Sequence, residues 1–107
     1  MVLIRMIKLK ILNGELNNLT EPEQFFISLF NEISYDKNKD YYYTTVDNVA
    51  YFRYDYNEDI LYSSIGIFHR FYVKFNFTFS DYNKMIDDLF KRHFNKKTVS
   101  KFSSSLK

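Results

Sequence analysis

The chain has 107 residues, of which 46% are hydrophobic and 21% aromatic, with a formal charge of only +2; this excludes a disordered polyelectrolyte and leaves room for one core but not two. With no cysteine, disulfide scaffolds, thiolate nucleophiles and cysteine zinc sites are excluded, and an intracellular, cytoplasmic location is the expectation. The small net charge conceals two unlike regions: residues 15–64 carry ten acids against Lys37, Lys39 and Arg53, a balance of −7, whereas 65–107 carry nine bases against Asp81, Asp87 and Asp88, a balance of +6.

Residues 3–12 alternate Ile7, Leu9 and Ile11 with Lys8 and Lys10, the period of a half-buried strand, and Asn13-Gly14 reads as the turn that follows. Arg5, Lys8 and Lys10 interrupt this segment, so it is neither a signal core nor a span of the ~20 apolar residues a bilayer requires. Thr20-Glu21-Pro22-Glu23 matches a capping box. It predicts a helix over about 20–34 whose apolar face is Phe25, Phe26, Leu29, Phe30 and Ile33.

After the polar break Asp36 to Asp40, the runs Tyr41 to Val46 and Val49 to Tyr56 flank Asp47-Asn48, a hairpin signal. Asn57-Glu58-Asp59 is a second turn, leading to Ile60 to Ser63 and completing a three-stranded antiparallel meander. In residues 65–79 two periods compete: the odd positions alternate as in a strand, whereas Ile65, Phe68, Tyr72 and Phe75 follow helical spacing, with Ser64 as N-cap and Asn76 as stop. The helix, about 65–75, is preferred. A third helix over 81–95, capped by Ser80, carries Tyr82, Met85, Ile86, Leu89, Phe90, His93 and Phe94 on one face. Residues 96–107 lack periodicity and read as a flexible basic tail. No internal repeat is evident.

The fold expected is therefore α+β: a three-stranded antiparallel meander, joined or not by an N-terminal strand, packed with three helices in one domain over 1–95. The run Phe52-Arg-Tyr-Asp-Tyr-Asn-Glu-Asp-Ile-Leu-Tyr-Ser-Ser, followed by Ile67-Phe68, Phe71, Phe75 and Met85-Ile86-Asp-Asp-Leu-Phe-Lys-Arg-His-Phe-Asn, resembles small uncharacterised proteins of phages and other mobile elements. That resemblance spans roughly residues 50 to 97, where an aromatic hairpin leads into two helices. The family's first helix usually opens with Ile-Trp, where this chain has Ile67-Phe68. The resemblance implies helix over 65–75 and a mobile-element origin, and it implies no activity.

No residues assemble into a catalytic or metal motif. His69 and His93 show neither His-x₃-His nor His-Glu-x-x-His spacing. Asp87 and Asp88 diverge by about 100° on a helix. Asp55, Glu58 and Asp59 surround a turn but lack the glycine and terminal glutamate of a calcium loop. The serines lie outside any nucleophile elbow, and only Gly14 and Gly66 are available for a phosphate loop. No enzyme, cofactor or metal is expected.

Two surfaces remain. Tyr41, Tyr43, Tyr51, Tyr54, Asp55 and Tyr56 make the meander an acidic, tyrosine-rich surface of the composition found at binding hot spots. It fits a non-enzymatic interaction module, such as a mobile-element accessory protein or inhibitor acting on a larger protein or complex. Ordinary packing at the edge of a core is the competing explanation, and an AT-rich coding sequence would also enrich Tyr, Phe, Ile, Asn and Lys. Lys91, Arg92, Lys96, Lys97 and Lys101 form the alternative, a basic helix end and tail suited to phosphate, with Phe94 or Phe102 able to stack on a base. A solvated helix end explains the same charges, and a small subunit whose tail threads into a large assembly is a third possibility.

Overall fold

The computed structural model describes residues 3–30, 34–46 and 50–103. They form an α+β unit in which four helices cover one face of a five-stranded mixed sheet. The elements in chain order are α1 (Leu3–Leu12), α2 (Glu21–Ser28), β1 (Ser34–Asp36), β2 (Tyr41–Val46), β3 (Ala50–Asp55), β4 (Ile60–Ser64), α3 (Ile65–Phe75), α4 (Phe79–Phe94) and β5 (Val99–Ser103). The strands lie side by side in chain order; the first four are antiparallel, and β5 returns through α3 and α4 to lie parallel to β4.

The meander is thus present but larger than expected, gaining β1 at one edge and β5 at the other. Five residues of the presumed tail are β5, and Phe102 packs between the rings of Phe68, Phe79 and Tyr82. The Asp47-Asn48 loop and Ile33 lie outside the described residues.

The N-terminal segment is a helix, not a strand. Leu3, Ile4 and Ile7, at i, i+1 and i+4, are fully buried, while Leu9, Ile11 and Leu12 of the apparent alternation are exposed. Its Leu, Met and Lys residues, which are not branched at Cβ, favour helix. Asn13-Gly14 consequently terminates a helix: Gly14 takes φ 67°, and the amides of Gly14 and Glu15 donate to the carbonyls of Ile11 and Lys10, the paired bonds of a Schellman cap.

At α2 the capping box forms as the sequence requires, the Thr20 amide donating to Glu23 Oε1 at 2.9 Å and the Glu23 amide to Thr20 Oγ1 at 3.3 Å. The helix stops at Ser28, short of the expected 34. α3 takes the helical option for 65–75, with Ser64 as N-cap and Asn76 in the left-handed conformation at its end. The cap of α4 is Thr78 rather than Ser80, in a second capping box with Asp81. Backbone donation from Thr78 holds the Asp81 carboxyl below its ordinary range.

Register assigns the two sheet faces. Tyr42, Thr44, Phe52, Tyr54, Leu61, Ser63, Ser100 and Phe102 share the helix-covered face. Phe26 is the hub of the core beneath, with ring centroids of Phe30, Phe52, Phe71, Tyr82 and Phe90 lying 5.1–6.5 Å away. Such a ring cluster adds about 0.5–1.5 kcal/mol per favourable pair beyond area burial. No helix of the described residues is long and apolar enough to cross a membrane.

Candidate interaction surface

The second sheet face holds Ser34, Asp36, Tyr41, Tyr43, Thr45, Tyr51, Arg53, Asp55, Ile60, Tyr62, Val99 and Lys101. Among the described residues, every helix-to-sheet ring contact goes to the opposite face, at Tyr42, Phe52 or Phe102. Strand pairing then draws one straight row across this face, open in the sense that no described helix makes a ring contact with it: Ser34, Tyr43, Arg53, Tyr62 and Lys101 are successive neighbours on all five strands.

Arg53 is the centre of this row. Its guanidinium carbon lies 4.0 Å from the Tyr62 ring centroid and 4.9 Å from that of Tyr41. Both are within the ~6 Å reach of a cation–π contact, and guanidinium planes stack well on rings. The side chain is half-buried, and its Nε is enclosed without a hydrogen-bond partner among the described residues. The result is a patch in which a cation lies against two tyrosines and Tyr43, Ile60 and Val99 remain partly or largely accessible.

The six residues singled out in the sequence do not form one site. Tyr41, Tyr43, Tyr51 and Asp55 share the open face, although Tyr41 and Tyr51 are buried there. Tyr54 belongs to the opposite face, is fully buried and donates its hydroxyl to Asp59. Tyr56 lies beyond β3 and donates to Asp40 Oδ2 at 3.1 Å.

The acidic character is largely consumed by two matching turns. Tyr35-Asp36-Lys-Asn38-Lys-Asp40 and Tyr54-Asp55-Tyr-Asn57-Glu-Asp59 are copies of one pattern, Tyr-Asp-x-Asn-x-Asp. In each, the first aspartate accepts the amides two and three residues on at 2.9 and 3.1 Å. In each, the last takes a positive φ, 53° at Asp40 and 56° at Asp59, and accepts the hydroxyl of the leading tyrosine. The short repeat was legible in the sequence at this spacing, contrary to the expectation of none. Hydrogen bonding to Asp40 pushes the Tyr35 hydroxyl up to about 12 and raises Tyr56 as well.

The basic residues are also divided. Lys91 pairs with Asp87 at 3.2 Å; Arg92 bridges the buried Glu23 at 2.5 Å and Asp88 at 3.2 Å; Lys96 reaches Asp59 at 3.3 Å. Lys97 and Lys101 make no such pair among the described residues, and Lys101 stands on the open face of β5. His69 is exposed and His93 half-buried, the latter's pKa lowered by burial and by Arg92. No group of three or more His, Cys, Asp or Glu among the described residues is placed to hold a metal.

Arg53 and Tyr62 were not candidates from the sequence. Arg53 sits two residues from both Tyr51 and Asp55 and so shares their face by strand alternation, but its partners come from strands whose register no local pattern gives. No family model, curated protein or solved structure matches the chain.

Proposed function

We propose that the chain is a non-enzymatic protein-interaction module whose contact surface is the open sheet face centred on Arg53. The observation that carries this reading is the Tyr41–Arg53–Tyr62 stack on a face that no described helix covers. Arginine and tyrosine are enriched at binding hot spots because they present large, partly apolar area with directional polar tips. Here the stack already immobilises the guanidinium, so its ordering cost on association is reduced. The face is mixed rather than acidic: Arg53 and Lys101 in one row adjoin Asp36 and Asp55 in the next. Ion pairing of Lys91, Arg92 and Lys96 within the chain weighs against the basic helix end as a phosphate surface.

The test is capture from nuclease-treated lysate of the host by the wild-type chain, Arg53→Ala and Tyr72→Ala, each verified as folded by circular dichroism. Tyr72 is exposed on α3, away from the sheet face. A protein held by the wild type and Tyr72→Ala but lost by Arg53→Ala is expected. Equal retention by all three, or retention of nucleic acid alone in untreated lysate, would overturn the proposal.

A further inference from the structure

A second recognition feature lies at a different place, along the outer edge of β5. As the last strand of the sheet, β5 is paired on one side only among the described residues, with β4. Beside the free edge runs α4, and the two enclose a groove of about 490 Å³ lined by Ser80, Asn83, Lys84 and Asp87 from the helix and by Lys97 to Ser100 from the strand side. Two of the lining residues each carry a buried side-chain atom without a hydrogen-bond partner among the described residues, Ser100 Oγ and Asn83 Oδ1, and Ser100 itself is only 7% exposed. Buried polar atoms are normally satisfied, so an orphaned pair in the wall of an open groove points to a polar occupant.

The charge of the groove selects that occupant. Asp87 is paired with Lys91 at 3.2 Å, while Lys84 and Lys97 form no salt bridge among the described residues; Asp81 lies near enough to Lys84 for a weak attraction. A second copy adding antiparallel along the whole of β5 would set Lys101, its central residue, opposite its own copy, and like charges directly opposite are destabilising. Lysines at an edge discourage self-pairing for this reason.

We infer that the groove between α4 and the free edge of β5 binds an extended acidic segment of a partner protein, added to the sheet as a sixth strand beside β5. Backbone hydrogen bonds to β5 would supply affinity, and alternate side chains would enter the groove, where carboxylates meet Lys84 and Lys97 and hydroxyl or amide groups satisfy Ser100 and Asn83. This inference concerns a different surface from the Arg53 face, and either can fail without the other.

The probe is a fluorescein-labelled, end-capped octapeptide alternating glutamate with threonine and valine, titrated by anisotropy against the full chain. Its lysine counterpart, a backbone N-methylated version and an oligothymidylate are the comparisons. Saturable binding of the acidic peptide is expected, at least about tenfold weaker for the lysine peptide and for the Lys84→Glu/Lys97→Glu double variant. Loss on N-methylation is also expected, because it removes the strand's donors but not its charge. Arg53→Ala should bind this peptide as the wild type does. No binding at about 1 mM, equal binding of the N-methylated peptide, displacement by oligothymidylate at lower concentration, or sedimentation as a dimer would each overturn the inference.

Discussion

Replacing Arg92 by leucine tests whether the basic end of α4 belongs to the scaffold. Arg92 joins α4 to α2 by a 2.5 Å contact with Glu23, whose side chain is 3% exposed, and its other arm meets Asp88, whose side chain is 66% exposed. Two unit charges 4 Å apart at an effective dielectric constant of 20 attract by about 4 kcal/mol. Because the Arg92 side chain is itself 39% exposed, solvent screening reduces this to about 2 kcal/mol, and the Asp88 arm contributes no more than about 0.5 kcal/mol. Arg92→Leu also leaves Glu23 buried with only the Thr20 amide for compensation, the situation in which loss of a partner is costly. The expected loss is about 2 kcal/mol in urea denaturation followed by far-ultraviolet circular dichroism. Glu23→Gln keeps the acceptor for the Thr20 amide while removing the charge, so a double-mutant cycle isolates the ion pair, with a coupling of about 1–2 kcal/mol expected. Coupling below about 0.3 kcal/mol would refute the assignment and return Arg92 to the pool of cations free for a ligand.

Three further outcomes are expected. Tyr82 is fully buried with the Ser63 hydroxyl near it but not in hydrogen-bonding geometry, and burial raises its pKa; Tyr82→Phe should therefore leave stability unchanged or raise it by up to about 1 kcal/mol, a loss of that size counting against an unpaired hydroxyl. Phe26→Ala, which empties the centre of the ring cluster, should cost about 3–5 kcal/mol in the same denaturation assay. Tyr54 has a raised pKa through burial and its bond to Asp59, and Lys96 is raised by the neighbouring Tyr54 hydroxyl. Both folded values exceed the unfolded ones, so their contribution is complete below pH ~10 and disappears as pH climbs through the folded values. Tyr54→Phe should flatten that alkaline decline, and an unchanged decline would exclude Tyr54 as its source.

Local chemistry made part of this fold legible. Thr20 and Glu23 announced a helix start, Ser64 and Asn76 bounded α3, and the aromatic runs announced β2 to β4. The failures share a cause. In α1, alternation of Ile7, Leu9 and Ile11 imitates a strand because only Ile7 of the three meets the core, a fact fixed by packing rather than by the segment. β5 is a parallel edge strand whose partner lies 39 residues earlier at the Ile60–Val99 pair, and its polar sequence becomes a strand only when β4 and α4 are beside it. The proposed interaction surface is harder still to read, since Tyr41, Arg53 and Tyr62 converge by register across three strands. Composition drew attention to tyrosine but could not separate Tyr43 on the open face from Tyr54 in the core.

The central proposal, a protein partner on the Arg53 face, is tested most directly by site-specific photocrosslinking. A benzophenone amino acid is placed at Tyr62, beside Arg53, or at Tyr72 on the exposed surface of α3, and each chain is irradiated in nuclease-treated host lysate. A discrete protein adduct from position 62 and none from position 72 is the expected result. Adducts from position 72 alone, or from neither position, would contradict a partner seated on the open sheet face.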